Sequence, residues 1–329
     1  MATGCGGNGS TAAEVTNDRP PESRATTEDR VPEPPPVPMT FDGRVGPTNI
    51  GIEIADEEKF FEKVGFNLEA SVPYRPKRSV QYVAAGVNDF GLAQLPQVVL
   101  AKEKGAPIIA LGSQIPHPTA ALIWLEDSGI GGIADLAGKT IAIPGVPFQE
   151  AFLAAVLRRG GLTLDDVEVK RVAYALVSNL LDGGADAIFG GSGNVEGQIL
   201  RARGATPVVK PVQDFGIPPY DEIVLIARTD FVAENSQLVR NFLTVMNRGN
   251  RMAAKHPHLA AATIEKSVES SPSATPKGTE AALTATFPLI SNSGYLDPGR
   301  ARRLIDWMYE EQLIGRRWPA SALVTNAYR

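Results

Sequence analysis

From Met39 onward the chain alternates short apolar runs with stretches of helical spacing, and this alternation limits the fold more than any other feature. The run Thr140-Ile141-Ala142-Ile143 has the length and apolar character of a buried strand. Pro144-Gly145-Val146-Pro147 turns it into a helix in which Phe148, Phe152, Val156 and Leu157 share one face, stopped by Gly160 and Gly161. The same unit recurs along the chain. Helices are predicted over 50–63, closed by Gly65, over 79–85, capped by Ser79 and ended by Gly86, and over 96–104, ended by Gly105. Strands are predicted over 66–72, 89–93, 107–111 and 120–125, then over 168–172 and 186–189 with a helix around 178–182 between these two. A strand over 222–227 carries the chain back, and from Phe231 the pattern is helical, interrupted at Gly249, Pro257 and 270–276.

This order predicts an α/β fold with mostly parallel strands. A helical C-terminal part after a returning strand makes the first lobe discontinuous. Two α/β lobes joined by a two-crossing hinge result: residues 39–137 open lobe 1, 138–227 form lobe 2, and 228–329 complete lobe 1. In such a clamshell the strand ends and helix N-termini face a cleft.

Residues 1–38 have a different character. Gly6 to Pro38 runs from Gly/Ser/Thr-rich to Asp/Glu/Arg-rich to Pro32-Glu33-Pro34-Pro35-Pro36-Val37-Pro38, with almost no large apolar residue. It buries too little surface to offset the entropy of ordering, so a disordered, partly polyproline tether is expected. Ahead of it, Met1-Ala2-Thr3-Gly4-Cys5-Gly6-Gly7 sets the single cysteine among small residues, as in the cleavage site of bacterial lipoproteins. Cys5 is therefore the expected lipidation site. One cysteine excludes an internal disulfide and a multi-cysteine zinc site. No run approaches the roughly 18 apolar residues of a spanning helix, so the lipid is the expected membrane contact. A formal net charge of -5, with bases scattered among acids, gives no basic face for a phosphate backbone and speaks against nucleic acid.

The residues offer little catalytic chemistry, and no catalytic residue, cofactor or metal is assigned. His256 and His258 in His-Pro-His are too close for a helical zinc pair and read as solvated surface, and His117 lies in the rigid turn Pro116-His117-Pro118. Nucleophile-elbow, P-loop and dinucleotide fingerprints are absent. Gly190-Gly191-Ser192-Gly193 follows a strand and reads as a tight turn at which the backbone comes close to something, with a cleft ligand as one candidate. Glu196, three residues on, either accepts hydrogen bonds from an amino-bearing ligand or sits on the next helix surface. The helix start after Pro144 offers amides and a positive dipole end to a polar group. Asp221-Glu222 suits a pocket edge or a plain turn, and Trp307 and Trp318 suit packing in the helical region.

Several blocks carry a family resemblance. They are Ala85-Gly86-Val87-Asn88-Asp89-Phe90-Gly91, Pro96-Gln97-Val98-Val99-Leu100-Ala101, Asp127-Ser128-Gly129-Ile130, Gly138-Lys139 to Phe148, and Phe215-Gly216-Ile217-Pro218-Pro219-Tyr220-Asp221-Glu222, with Leu323-Val324-Thr325-Asn326 at the tail. In this order, over residues 45–329, the chain resembles the thiamine-pyrimidine-precursor-binding proteins of bacterial ABC importers. That family is related to nitrate, sulfonate and riboflavin binders and to the yeast thiamine-pyrimidine synthase.

The resemblance implies a type II periplasmic-binding-protein fold, an extracytoplasmic location, a monomer, and delivery of a small-molecule ligand to an ABC permease driven by a separate ATPase. It places Gln94 and Gln97 of lobe 1, and Val146, Pro147, Ser192, Gly193, Asn194 and Glu196 of lobe 2, at the ligand. Glu196 matches the acid that holds the pyrimidine amino group, and Asn194 also matches. The aromatic pair expected before that asparagine is Ser192-Gly193 here, Gln94 stands for a pocket tyrosine, and Arg44 to Asn49 replaces the usual Trp and Asn. A roomier, more polar pocket is therefore expected, with riboflavin, a sulfonate or nitrate as alternative ligands. Two non-transport readings remain: a ligand-sensing module, and the synthase branch, which depends on a cysteine-rich iron motif and a sacrificial histidine.

Overall fold

The structure is a computed structural model that describes residues 33–73, 78–267 and 275–329 together with Met1. The chain divides into Met1–Glu33 and Pro34–Arg329, and every element lies in the second unit. Cys5 and the tether as far as residue 32 lie outside the described residues.

The elements run β1 (Pro36–Thr40), α1 (Ile50–Glu57), β2 (Asn67–Ser71), α2 (Ser79–Ala84), β3 (Phe90–Ala93), α3 (Leu95–Glu103) and β4 (Ile108–Ile115). Then come β5 (Ala120–Leu125), β6 (Thr140–Ile143), α4 (Gln149–Arg158), β7 (Glu168–Arg171), α5 (Leu176–Leu181), β8 (Ala187–Ser192), α6 (Glu196–Ala202) and β9 (Pro207–Pro211). The chain closes with β10 (Ile223–Arg228), α7 (Thr229–Glu234), α8 (Ser236–Lys255), α9 (Pro257–Ser267), α10 (Pro276–Thr286) and α11 (Pro298–Glu310). Two five-stranded sheets result, ordered β2-β1-β3-β10-β4 and β7-β6-β8-β5-β9. Each is α/β and each holds one strand antiparallel to its neighbours, β10 in the first and β5 in the second. These are the two strands that follow a crossing between the sheets, at 116–119 and 212–222. Both therefore start at the cleft, where the parallel strands end.

Sheet membership shifts the lobe boundaries drawn from the sequence. Because β5 already belongs to the second sheet, the hand-over precedes residue 137, and β10 belongs to the first sheet although it precedes residue 228. Pro36 and Pro38 belong to β1 and not to the tether. Pro38 presents its carbonyl to the amide of Asp89 on the β3 side, and β3 pairs with β1 only from Met39 onward. The missing proline N–H groups thus cost no ladder bond, while Val37 and Met39 point into the core.

Four local expectations are corrected. The first helix stops at Glu57, because Lys59 turns to φ 55° before a short 3-10 turn that Gly65 closes at φ 99°. Ser79 does not cap its helix: its hydroxyl is buried and donates to the Leu92 carbonyl. Gly249 does not interrupt α8, which runs through it. A Cβ there would overlap the Gly51 carbonyl, so the glycine lets α8 approach α1. Finally, Gly190-Gly191-Ser192 continues β8 instead of turning. The register against β5 slips between Ala121 and Leu122, leaving Gly190 as a bulged residue at φ 83°.

One hydrophobic core spans both lobes. Val98 and Val99 of α3, Trp124 of β5, Phe152 and Leu157 of α4, and Leu304 and Met308 of α11 belong to it. Trp307 packs edge-on to Phe152 at 4.9 Å between centroids, and Trp318 donates Nε1–H to Glu103 at 2.7 Å. Helix α11 is thus a third link between lobes besides the two crossings. The tail covers the free edge of the first sheet, with Ala110 exchanging backbone hydrogen bonds with Leu323 and Thr325.

Candidate functional site

A cavity of about 630 Å³ lies where the strand ends and both crossings meet. Its walls come from the loop after β1 (Asp42–Thr48), from Gln94 at the end of β3, and from Thr119 and Ala120 at the first crossing. Pro144, the loop from Val172 into α5, Gly190, Ser192, Val195, Glu196 and Ile199 line the lobe 2 side, with Glu222 and Ile223 at the second crossing. Ile264 of α9 and Thr279 and Ala282 of α10 complete the wall.

Glu222 organises the floor. Its side chain is buried, and Oε1 accepts from Gln94 Nε2 while Oε2 accepts from the amides of Thr119 at 2.9 Å and Ala120 at 3.4 Å. One carboxylate therefore joins the end of β3, the start of β5 and the start of β10. The Glu196 carboxylate is held from its own lobe, Oε2 accepting the Ser192 amide at 2.6 Å and the Ser192 hydroxyl at 3.0 Å. The bulge at Gly190 and the lack of a side chain at Gly191 bring Glu196 close. A Cβ on Gly191 would sit 3.3 Å from Glu196 Cγ.

The loop after β1 is fixed by amides. Asn49 accepts from the Gly46 amide at 2.9 Å and donates to the Arg44 carbonyl at 3.1 Å. Gln114 Nε2 donates to the Thr48 carbonyl at 3.1 Å, and Gln114 and Asn250 exchange a buried reciprocal pair of hydrogen bonds at 2.9 and 2.7 Å. Across the cleft, Ala173 has φ 52°, a left-handed conformation uncommon outside glycine. It turns Tyr174 toward lobe 1, where the Arg44 guanidinium stands 5.1 Å from the ring centroid. Burial foremost, then the Asp42 carboxylate, pushes the Tyr174 hydroxyl up to about 12 against the opposing pull of Arg44, so it stays protonated at neutral pH. Asp42, Glu196 and Glu222 give the cavity three carboxylates to one guanidinium.

Of the residues expected at the ligand, Gln94, Ser192 and Glu196 line the cavity. The other five are placed elsewhere. Gln97 Oε1 accepts the Gln94 amide at 3.0 Å at the start of α3. Val146 is packed in the core with its amide on Gln149 Oε1 at 3.2 Å, and Pro147 faces solvent. The Gly193 amide bonds the Thr119 carbonyl at 3.3 Å. Asn194 turns its Nδ2 to Thr286 Oγ1 of α10 at 2.8 Å, outside the cavity wall. Tyr174 carries no signal in the sequence, as an isolated residue in a loop, and Arg44 enters only as the start of the segment that replaces the family's usual Trp and Asn. Glu222 was legible only as one of two acids after Pro218-Pro219-Tyr220. Its neighbour Asp221 points away into a buried cluster, accepting from Ser113 Oγ at 2.6 Å and Arg300 Nη1 at 3.1 Å.

Two mixed sheets with matching strand order and a cleft cavity define the periplasmic-binding-protein fold. The alkanesulfonate-binding protein SsuA of Xanthomonas axonopodis superposes with a TM-score of 0.70 over 90% of this chain and 100% of that one, at 16% identity. That likeness is one of fold. The chain belongs to the NMT1/THI5-like family, whose model matches residues 47–260. It is 28% identical over 204 residues to the formylaminopyrimidine-binding protein of Halalkalibacterium halodurans, covering 62% of each chain. It is 27% identical over 279 residues to a thiamine biosynthesis protein of Haemophilus influenzae, covering 84% of this chain and 88% of that one. Similarity extends to the 4-amino-5-hydroxymethyl-2-methylpyrimidine phosphate synthase of Candida albicans, 25% identical over 231 residues, or 65% of this chain and 66% of that one.

Proposed function

We propose that the chain is the extracytoplasmic solute-binding subunit of an ABC importer and that its cargo is an amino-bearing pyrimidine of the thiamine pathway. The observation that carries this reading is the Glu196 carboxylate on the lobe 2 wall of an inter-lobe cavity whose floor is organised by a second carboxylate, Glu222. Carboxylates accept hydrogen bonds, so they suit a ligand that presents N–H donors. They also oppose an anion: a sulfonate or nitrate would meet three carboxylates and one guanidinium. Contacts from both lobes would favour the closed arrangement by differential affinity. Handing the cargo to a permease with a separate ATPase, and anchoring through Cys5, complete this reading, supported by the family and by the composition of residues 6–38.

The test is a thermal-shift series with 4-amino-5-hydroxymethyl-2-methylpyrimidine, riboflavin, an alkanesulfonate and nitrate. A ligand at a hundred times its Kd adds about 2.7 kcal/mol to the folded state. A concentration-dependent rise with the pyrimidine supports the reading, whereas a rise confined to the sulfonate or nitrate overturns the cargo assignment.

The fungal relatives favour synthase chemistry as a second reading. The described residues do not fit a metal centre of that kind, since none of them form a cluster of three or more His, Cys, Asp or Glu. Both oxygens of Glu222 are engaged by protein donors, and the one cysteine of the chain is Cys5.

A further inference from the structure

We propose that Tyr174 is the ring-recognition wall of the cavity: a planar ligand ring stacks on the Tyr174 face in the place that Arg44 occupies in this structure. The inference rests on the binding reading above and names the residue that makes the site selective for a flat ring.

Three independent observations converge on this residue. The first is backbone strain one residue before it. A non-glycine residue in the left-handed region is strained, and such conformations concentrate at ligand sites. Ala173 holds that conformation in the loop that carries Tyr174. The second is exposure: Tyr174 lines the cavity and stays 36% exposed although its ring reaches the other lobe, where a Cβ on Gly43 would stand 3.6 Å from its Cε1. The third is what covers the ring. A guanidinium is a flat cation, and it sits over the ring of a protonated phenol from the opposite lobe. An aromatic face that accepts a flat cation accepts a flat, electron-poor ring by the same electrostatics.

The placement also fits the acid end of the site. Glu196 Cγ and Leu176 Cδ1 each stand 3.3 Å from where a Cβ on Gly191 would be, so the start of α5, two residues after Tyr174, adjoins Glu196 on one wall. A ring on Tyr174 and its amino substituent at Glu196 would therefore be held by the same lobe. Arg44 contributes from lobe 1, and its side chain swings off the ring as the ligand takes its place.

Equilibrium dialysis of the full chain and its Tyr174→Leu and Tyr174→Phe variants tests this. The probes are 4-amino-5-hydroxymethyl-2-methylpyrimidine and a saturated cyclic amino alcohol of similar size, with the thermal midpoint of each variant recorded. Loss of the ring in Tyr174→Leu is expected to weaken pyrimidine binding roughly tenfold, while Tyr174→Phe stays within about threefold of the parent. The saturated probe is expected to bind the parent and Tyr174→Leu equally weakly. If the parent binds the pyrimidine and Tyr174→Leu binds it as well, or if Tyr174→Phe loses as much as Tyr174→Leu, the Tyr174 assignment falls and the importer reading stands. If the parent binds no planar amino ring, both fall.

Discussion

Behind the cavity the lobes share an aromatic core, whereas at its mouth the loop after β1 meets the loop before α5 through a stacking contact. At the back, Phe152 of α4 packs against Phe148, Tyr220 and Trp307, which belong to lobe 2, the second crossing and α11. Beside them Arg300 of α11 donates to the Pro116 carbonyl at the first crossing and to Asp221 at the second. At the rim, Arg44 rests on Tyr174, while the Asn194–Thr286 bond lies beside the packing of α10 along α6, where Gly278 sits against Ala202 and Ile199. An exposed cation–π contact contributes about 0.5–1 kcal/mol and a neutral hydrogen bond about 1 kcal/mol, against several for a buried aromatic. The Arg44–Tyr174 contact is therefore the weakest of these links, and the shared core at the back the strongest.

The comparison breaks most readily at its strong side. Phe152→Ala is expected to lower unfolding free energy by about 3–5 kcal/mol, seen as a lower denaturant midpoint, because the cavity left cannot collapse between two lobes. A cost under 1 kcal/mol would mean that the shared core does not hold the lobes together. Arg300→Ala comes next, at about 3 kcal/mol, because it leaves Asp221 buried without its cation. Urea titrations of the two variants check both values.

A pH dependence sharpens the same contrast. Burial foremost raises the Asp221 carboxyl from 3.8 to about 6, with Ser113 and Arg300 working against it and Asp297 adding to it. The folded state then binds more protons than the unfolded state between those values, so this group makes stability fall as pH rises from about 4 to 6. The size is roughly 3 kcal/mol, and Asp221→Asn should flatten the fall. Glu53 on α1, raised from 4.5 to about 7 chiefly by burial and then by Asp56 and Glu57, adds a decline of the same sign up to about pH 7. A stability curve that rises through this window in the parent and is unchanged in Asp221→Asn would contradict the assignment. The smallest effect belongs to the rim. Asn194→Ala is expected to cost about 1 kcal/mol or less in calorimetric unfolding, with its main consequence a weaker affinity for closing ligands. A loss as large as that of Phe152→Ala would erase the distinction between back and rim.

Much of this architecture is legible in the sequence for reasons the residues make plain. The strands β5 and β6 coincide with their sequence limits because each is an apolar run bounded by turn residues. By contrast, β1 hides behind Pro36 and Pro38, whose usual meaning is overridden by a neighbour strand that starts late. Gly249 looks like a helix breaker because nothing local reveals that Gly51 lies against it. At the site, Glu196 stands out as an acid just after a glycine-rich strand end, whereas Gln94 and Ser192 are placed there by the family resemblance. Asn194 is placed there by the same resemblance but is claimed by Thr286, a residue far along the chain. Tyr174 and Arg44 become a pair only when two lobes meet, and no local pattern encodes that.

The central claim is that a carboxylate on the lobe 2 wall recognises the amino group of a small ring. A calorimetric titration of the parent chain and Glu196→Gln with 4-amino-5-hydroxymethyl-2-methylpyrimidine tests it most directly. The expected result is saturable binding with one site in the parent and a loss of at least tenfold in Glu196→Gln, with unchanged folding. Equal affinity in the two proteins, or a parent that binds an alkanesulfonate and ignores the pyrimidine, would contradict the account.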